Sequence, residues 1–183
     1  MTTELNGWNV EAMTEAIEEV KKTPEAGRLT WRGRVEWDGG FGLDVHTREI
    51  EQMGEVMHRH FTLRGDHPPE LLGKNTGPTA IETYLAALGA CMAGTFAAQA
   101  TARDVKVEKL QLEVSGNIDL NGFFGLAPVR PGLSNVKLEF SVDAEADDAT
   151  LAEILEAAQT HSPIFDTTTK PVKVQATVRR ADQ

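Results

Sequence analysis

The segment TGPTAIETYLAALGACMAG, residues 76–94, carries the pattern that decides the fold. Large apolar residues recur at helical spacing through this segment and just beyond it, at Ile81, Tyr84, Leu85, Leu88, Met92 and Phe96. Alanine and glycine occupy much of the remaining helix surface, and Pro78 suits the first turn of a helix. The pattern predicts a buried central helix that ends near Ala102, with glycines that let another backbone approach closely.

Upstream of this helix, the sequence indicates a short amphipathic helix followed by a β-rich region. Apolar residues at spacings of three and four, from Val10 to Val20, alternate with acidic residues, and this helix should end near Pro24. Asp38-Gly39-Gly40 predicts a hairpin turn between strands at 29–37 and 41–45, and a third strand is expected at 58–64. We therefore divide the chain into an N-terminal helix over residues 1–26 and one domain over residues 27–183.

Downstream of the central helix, the period of the apolar pattern drops to two. This alternation predicts strands around 110–114 and 136–142. Asp147 and Asp148 begin a second helix, which should bury one face made of Leu151, Ile154, Leu155 and Ala158. A final strand is expected from Val172 to Val178. Strands in two groups around long helices indicate an α+β fold rather than repeated βαβ units.

Composition excludes several classes of partner. The chain has 28 acidic and 18 basic residues, which argues against nucleic acid because phosphate binding needs clustered lysine and arginine. One cysteine requires no oxidising compartment, and the N-terminus shows no secretory signal, so we expect a cytoplasmic protein. The stretch from Ile81 to Ala102 is interpreted as too weakly apolar to span a bilayer, so no membrane partner is expected.

Three positions could carry chemistry, and each also has a structural explanation. Cys91, alone among alanines, is either a small buried hydrophobe or a nucleophile. Glu82 follows Thr79 by three residues, which fits a capping box or a buried carboxylate aimed at an arginine. Ser162 precedes Pro163 and suits a helix N-cap.

Other constellations carry little chemical signal. His58 and His60 share one face of a predicted strand, but no third ligand follows at a suitable spacing, so no metal is expected. His161-Ser162 and Asp166 lack the nucleophile-elbow motif of a hydrolase. The sequence contains no glycine-rich phosphate loop, and we expect no cofactor.

The central segment resembles the signature of the OsmC/Ohr (osmotically inducible protein C-like) family, in which a proline-marked helix start leads through a glutamate to a reactive cysteine. The stretches DLNGFFGLAPVRPG (119–132) and NVKLEFSVDA (135–144) resemble the longer OsmC-like members. HSPIFDTTTKPVKV (161–174) lies where the family has its cysteine-proline helix start. The resemblance covers about residues 28–180, and it implies an intertwined α+β homodimer with two long central helices packed against antiparallel sheets.

The resemblance also implies reduction of organic hydroperoxides through a thiolate. Cys91 would be the attacking thiol and Glu82 the carboxylate that orients an arginine, which would be Arg64 or, second, Arg59. A neighbouring guanidinium is chemically reasonable, because a free thiol is only slightly ionised at neutral pH. Phe123, Phe124 and Leu126 could wall a pocket for apolar hydroperoxides, or they could form a dimer contact.

Ser162 stands where the family places its second cysteine. In the family's peroxidases the sulfenic acid formed on the first cysteine condenses with the second, and a hydroxyl cannot do this. One hypothesis is a one-cysteine thiol peroxidase, acting in oxidative or osmotic stress defence and recycled by an external thiol. The alternative is a binding or sensing dimer for an apolar small molecule, and a third is an interaction protein that works through its N-terminal helix.

Overall fold

The computed structural model describes residues 4–180. The first three residues of the predicted N-terminal region and the last three of the predicted domain lie outside the described residues. Two short strands, β1 (Glu4–Leu5) and β2 (Trp8–Asn9), precede helix α1 (Val10–Lys22), and the Asn9 side chain caps α1 by accepting from the Ala12 amide. The Asn6 side chain, in the turn between β1 and β2, bonds Thr101 Oγ1 and the backbone of Val105 and Val107. The predicted amphipathic helix is confirmed as α1. The hydrogen bonds of Asn6 attach the segment before α1 to the rest of the protomer.

The predicted hairpin is confirmed as β3 (Leu29–Gly39) and β4 (Gly42–Gln52). Gly39 and Gly40 turn the chain with φ of 114° and 57°, values that glycine adopts without steric cost. The expected third strand is two shorter strands, β5 (Glu55–His58) and β6 (Thr62–Gly65), both antiparallel to β4. At the interruption the Phe61 amide donates to the Thr47 hydroxyl. The Thr47 hydroxyl thus accepts a hydrogen bond that a backbone carbonyl would accept in an uninterrupted strand.

The core lies between the longer helices and a second sheet. This sheet is the antiparallel pair β7 (Val107–Asn117) and β8 (Asn135–Ala144), connected by a loop that contains the short helix α3 (Leu120–Phe123). Helix α2 (Ala80–Thr101) and helix α4 (Asp148–His161) contribute buried side chains, and helix α5 (Pro163–Thr169) follows α4 directly. The buried cluster is Leu88, Met92, Phe96, Ala100, Val105, Ile154 and Ala158. Two helices on antiparallel sheets confirm the predicted α+β fold class.

The structure corrects two sequence expectations about α2. Pro78 precedes the N-cap Thr79 and therefore lies outside the helix rather than in its first turn. The helix is also not buried on all sides of the protomer, because Ala87, Ala90 and Gly94 are exposed opposite the core face. By length and composition alone α2 is apolar enough to cross a membrane, contrary to the sequence interpretation; the same properties suit the core helix of a soluble protein.

The predicted C-terminal strand is wrong for the protomer. Residues 171–180 follow α5 without helix or strand pairing, and every one of their side chains is exposed. Val174 and Val178 are 83% and 96% exposed. The alternating pattern is suited to a strand, but a strand needs hydrogen-bonding partners that the described part of the protomer does not supply.

Candidate functional site

Cys91 and Ser162 meet where α2 packs against the start of α5. The Ser162 hydroxyl donates a hydrogen bond to Cys91 Sγ, with 3.1 Å between oxygen and sulfur. Ser162 is completely buried, whereas the free thiol of Cys91 is partly exposed. The two residues that were singled out far apart in the sequence are therefore direct neighbours.

Local sequence explains why Ser162 lies at this point. It is the residue between α4 and α5, and its side chain accepts from the Phe165 amide at 3.4 Å, as the predicted N-cap with Pro163 at the first helical position. Its own amide donates to the Ala158 carbonyl at the end of α4. The hydroxyl hydrogen is free to point at sulfur because the oxygen uses a lone pair for the cap.

A second contact holds α5 on the same face of α2. Tyr84 lies seven residues before Cys91, two helical turns away, and its hydroxyl donates to Thr168 Oγ1 at 2.8 Å. Sequence inspection placed Tyr84 only on the apolar face, because nothing in the pattern shows which hydroxyl it meets. The Tyr84 and Thr168 pair and the Cys91 and Ser162 pair together orient α5 beside the thiol.

Glu82 closes the capping box at the start of α2. Its carboxylate accepts from the Thr79 amide at 2.7 Å, while the Thr79 hydroxyl accepts from the Glu82 amide at 3.1 Å. The hydrogen bond from the Thr79 amide is the main reason that the pKa of Glu82 is lowered. In the protomer the Glu82 carboxylate therefore caps the N-terminus of α2, which is the structural explanation offered by the sequence.

Arg64 is held by two aspartates in the first sheet. Its guanidinium lies 2.8 Å from Asp38 and 3.4 Å from Asp44, and its Nε donates to Thr76 Oγ1. The hydrogen bond to Asp38 is the largest cause of the raised pKa of Arg64. Within residues 4–180, no hydrogen bond or ion pair joins Arg64 to Glu82 or Cys91.

The second arginine candidate is engaged elsewhere as well. The Arg59 guanidinium lies over the Phe61 ring, 5.0 Å from its centroid. His58 and His60 are stacked at 6.4 Å between ring centroids, and among residues 4–180 no group of three His, Cys, Asp or Glu side chains could hold a metal ion. The protomer therefore brings together Cys91 and Ser162, and it leaves Glu82, Arg64 and Arg59 in other contacts.

The arrangement defines an α+β protein whose only cysteine lies on a central helix beside a buried helix-capping serine. Comparison with known proteins gives this class its family: the OsmC-like protein family matches residues 73–177, more than half of the chain, and the chain belongs to that family. No curated protein sequence matches this chain.

Solved structures share the fold at low sequence identity. An OsmC-like protein from Mycoplasma pneumoniae matches with a TM-score of 0.62 at 16% identity, covering 78% of this chain and 89% of the other. OsmC from Legionella pneumophila, an organic hydroperoxide resistance protein, matches with a TM-score of 0.50 at 15% identity over 75% and 88% of the two chains. An OsmC-like protein from Vibrio cholerae gives 0.51 at 13% identity over 75% and 92%. These similarities establish the α+β fold.

Proposed function

We propose that this chain is a one-cysteine, thiol-dependent reductase of organic hydroperoxides that acts in stress defence in the cytoplasm. The observation that carries the proposal is the hydrogen bond from Ser162 to Cys91 Sγ. A hydroxyl hydrogen bond to sulfur is stronger when the sulfur is an anion, so it favours the form that attacks a peroxide. The name of the Legionella relative, an organic hydroperoxide resistance protein, supports the same substrate class.

The chemistry balances with one protein thiol and two external thiols. The Cys91 thiolate attacks the outer peroxide oxygen, the O–O bond breaks, and the alkoxide leaves and takes a proton as the alcohol. Cys91 is then a sulfenic acid, oxidised by two electrons. A first external thiol displaces water to form a mixed disulfide, and a second releases Cys91 and leaves as the external disulfide. Ser162 keeps its hydroxyl throughout and takes no part in the electron transfer.

The functional unit in this proposal is a homodimer. Ala87, Ala90 and Gly94 expose a face of small side chains on α2, and a methyl group added at Gly94 would meet no atom within 4 Å. Such a face suits close contact with a second copy of the helix. The unpaired apolar segment 171–180 likewise supplies a strand that a second copy could pair.

The second candidate is a binding or sensing dimer without peroxidase activity. The position of Arg64 favours it, because within residues 4–180 its guanidinium is paired with Asp38 and Asp44 and makes no hydrogen bond or ion pair with Cys91. For the reductase, we propose that a basic side chain of the partner copy in the dimer supplies the activating charge. In the reductase Cys91 is oxidised and reduced in every catalytic cycle, whereas in the binding dimer it is not.

Peroxide consumption separates the candidates directly. Cumene hydroperoxide is followed with a dithiol and, separately, with a monothiol as reductant, using wild-type protein and Cys91→Ser. The reductase requires turnover in the wild type and none above background in the variant, together with trapping of a sulfenic acid at Cys91 in the intact mass. Equal rates in both proteins and an unlabelled Cys91 would exclude it in favour of the binding dimer.

A further inference from the structure

A cavity of about 680 Å³ lies at the N-terminal end of α2, whereas Cys91 lies near the middle of that helix. It is enclosed by the turn of the β3–β4 hairpin, the loop after β6, the first turn of α2 and the loop around α3. Its volume falls within the range of small-molecule sites. Ile81, which lines the cavity, precedes Cys91 by ten residues, and this spacing corresponds to about 15 Å along a helix. Neither Cys91 nor Ser162 is among the lining residues.

Aromatic rings form much of the wall. Phe41 and His67 stack face to face with 3.9 Å between centroids and 9° between planes. Phe123 and Phe124, on the α3 loop, meet edge to face at 5.0 Å. The Trp37 indole is held in place by its hydrogen bond to the Gly40 carbonyl. Ordered rings on several sides favour a planar aromatic guest, because offset and edge contacts between rings add to the gain from burial.

The charges at the cavity select against acids. Among residues 4–180, the lining contains the carboxyl groups of Asp66 and Glu70 and no lysine or arginine. Asp66 accepts from the amides of His67, Lys74 and Thr76 and from the Thr76 hydroxyl, and these bonds hold it ionised. Glu70 is exposed at the cavity, where a carboxylate repels an anion and accepts a donor. Apart from the His67 imidazole, which is stacked on Phe41, the ionisable groups of the lining are these two carboxylates.

We propose that this cavity is a binding site, separate from the thiol, for an aromatic small molecule that lacks an acidic group. The site does not depend on the chemistry proposed for Cys91. It assigns a role to the exposed Phe123 and Phe124 that needs no dimer contact. The acidic neighbourhood gives the site a selectivity for neutral or hydrogen-bond-donating ligands over carboxylates and sulfonates.

Two fluorescent probes of similar aromatic shape test this selectivity. N-phenyl-1-naphthylamine is uncharged, and 1-anilinonaphthalene-8-sulfonate carries the same ring system with an added sulfonate. Titration of the full chain should show saturable binding of the uncharged probe about tenfold tighter than that of the sulfonate. Equal affinity of the two probes, or no binding of the uncharged one because a second copy fills the cavity, would overturn the proposal.

Matched variants locate the site and its charge. Phe123→Ala should weaken binding of the uncharged probe about fivefold or more, whereas Phe61→Ala, at a similarly exposed phenylalanine outside the cavity, should not change it. Glu70→Gln should strengthen binding of the sulfonate and leave the uncharged probe unaffected. Equal effects at Phe123 and Phe61 would contradict the location.

Cys91→Ala tests whether the cavity and the thiol are independent. It should abolish any peroxidase activity while probe binding persists, so the two proposals can fail independently. Loss of probe binding would overturn the separation of the sites.

Discussion

Ser162 Oγ donates a hydrogen bond to Cys91 Sγ across 3.1 Å, and the same oxygen accepts from the Phe165 amide. One buried hydroxyl thus caps α5 and contacts the thiol. Serine suits both contacts, since a hydroxyl is among the preferred N-cap groups. A hydroxyl oxygen cannot complete a disulfide with Cys91.

Ser162→Ala removes both hydrogen bonds while leaving little empty volume. We expect the free energy of unfolding to fall by about 1–2 kcal/mol, from the lost cap and the unpaired buried Phe165 amide. Urea unfolding measures this. We also expect slower alkylation of Cys91 by iodoacetamide, because the hydrogen bond to the anionic sulfur is lost. Thr167→Ala is the control on the same helix, where an exposed hydroxyl bonds only the Pro163 carbonyl and should contribute within about 0.5 kcal/mol.

Ser162→Cys should allow an intramolecular disulfide with Cys91. The two side-chain atoms are already in contact, and a disulfide requires the sulfurs to approach to about 2.05 Å. After one equivalent of cumene hydroperoxide, the intact mass should show loss of two hydrogens instead of a trapped sulfenic acid, and a dithiol should reverse it. Dimers linked between chains, or a persistent sulfenic acid, would mean that the geometry of α2 and α5 does not allow closure.

Asp66 makes the stability of the loop after β6 depend on acid. Hydrogen bonds, led by that from the His67 amide, lower the pKa of Asp66 to about 2, below the value of about 3.9 for an unfolded chain. A lowered pKa stabilises the fold above pH 4, and this contribution is lost as the pH falls from about 4 to 2. Asp66→Asn should therefore flatten this part of the stability curve and lower the Tm at pH 7 by roughly 5 °C.

Urea midpoints measured from pH 2 to pH 7 check the assignment to Asp66. Thr76→Val keeps the carboxylate and the backbone donors but removes one hydroxyl donor, so its effect should be intermediate. If Asp66→Asn loses stability between pH 4 and pH 2 as steeply as the wild type, the acid dependence arises from other carboxylates, such as Glu82 and Asp147, whose pKa values are also lowered.

Ala90→Glu tests the dimer face of α2. Ala90 is exposed in the protomer, so glutamate there should leave the protomer folded; in the proposed interface it would bury an unpaired charge. We expect the dimer dissociation constant to rise about a hundredfold or more by sedimentation. Ala152→Glu, the same change at an exposed alanine of α4, should leave assembly unchanged. Identical behaviour of both variants would place the interface elsewhere.

Local features of the fold were readable from the sequence because their causes are local. The amphipathic helix that carries Val10 to Val20, the capping box of Thr79 and Glu82, and the Ser162-Pro163 cap depend on residues a few positions apart, and the structure confirms each one. The pattern of Leu88, Met92 and Phe96 likewise identified the buried face of α2. The strand expected at 172–178 failed because alternation shows the tendency to pair, whereas a strand requires an available edge.

The sequence by itself determined the family pattern, the lone thiol and the serine that cannot form a disulfide with it. Only the tertiary structure decided that this serine touches Cys91, that Arg64 is bound to Asp38 and Asp44, and that the aromatic loop encloses a cavity away from the thiol. The physical reason is that helix periodicity and caps arise within a few residues of the chain. Contacts between α2 and α5, or between β3 and the α3 loop, depend on how distant segments pack.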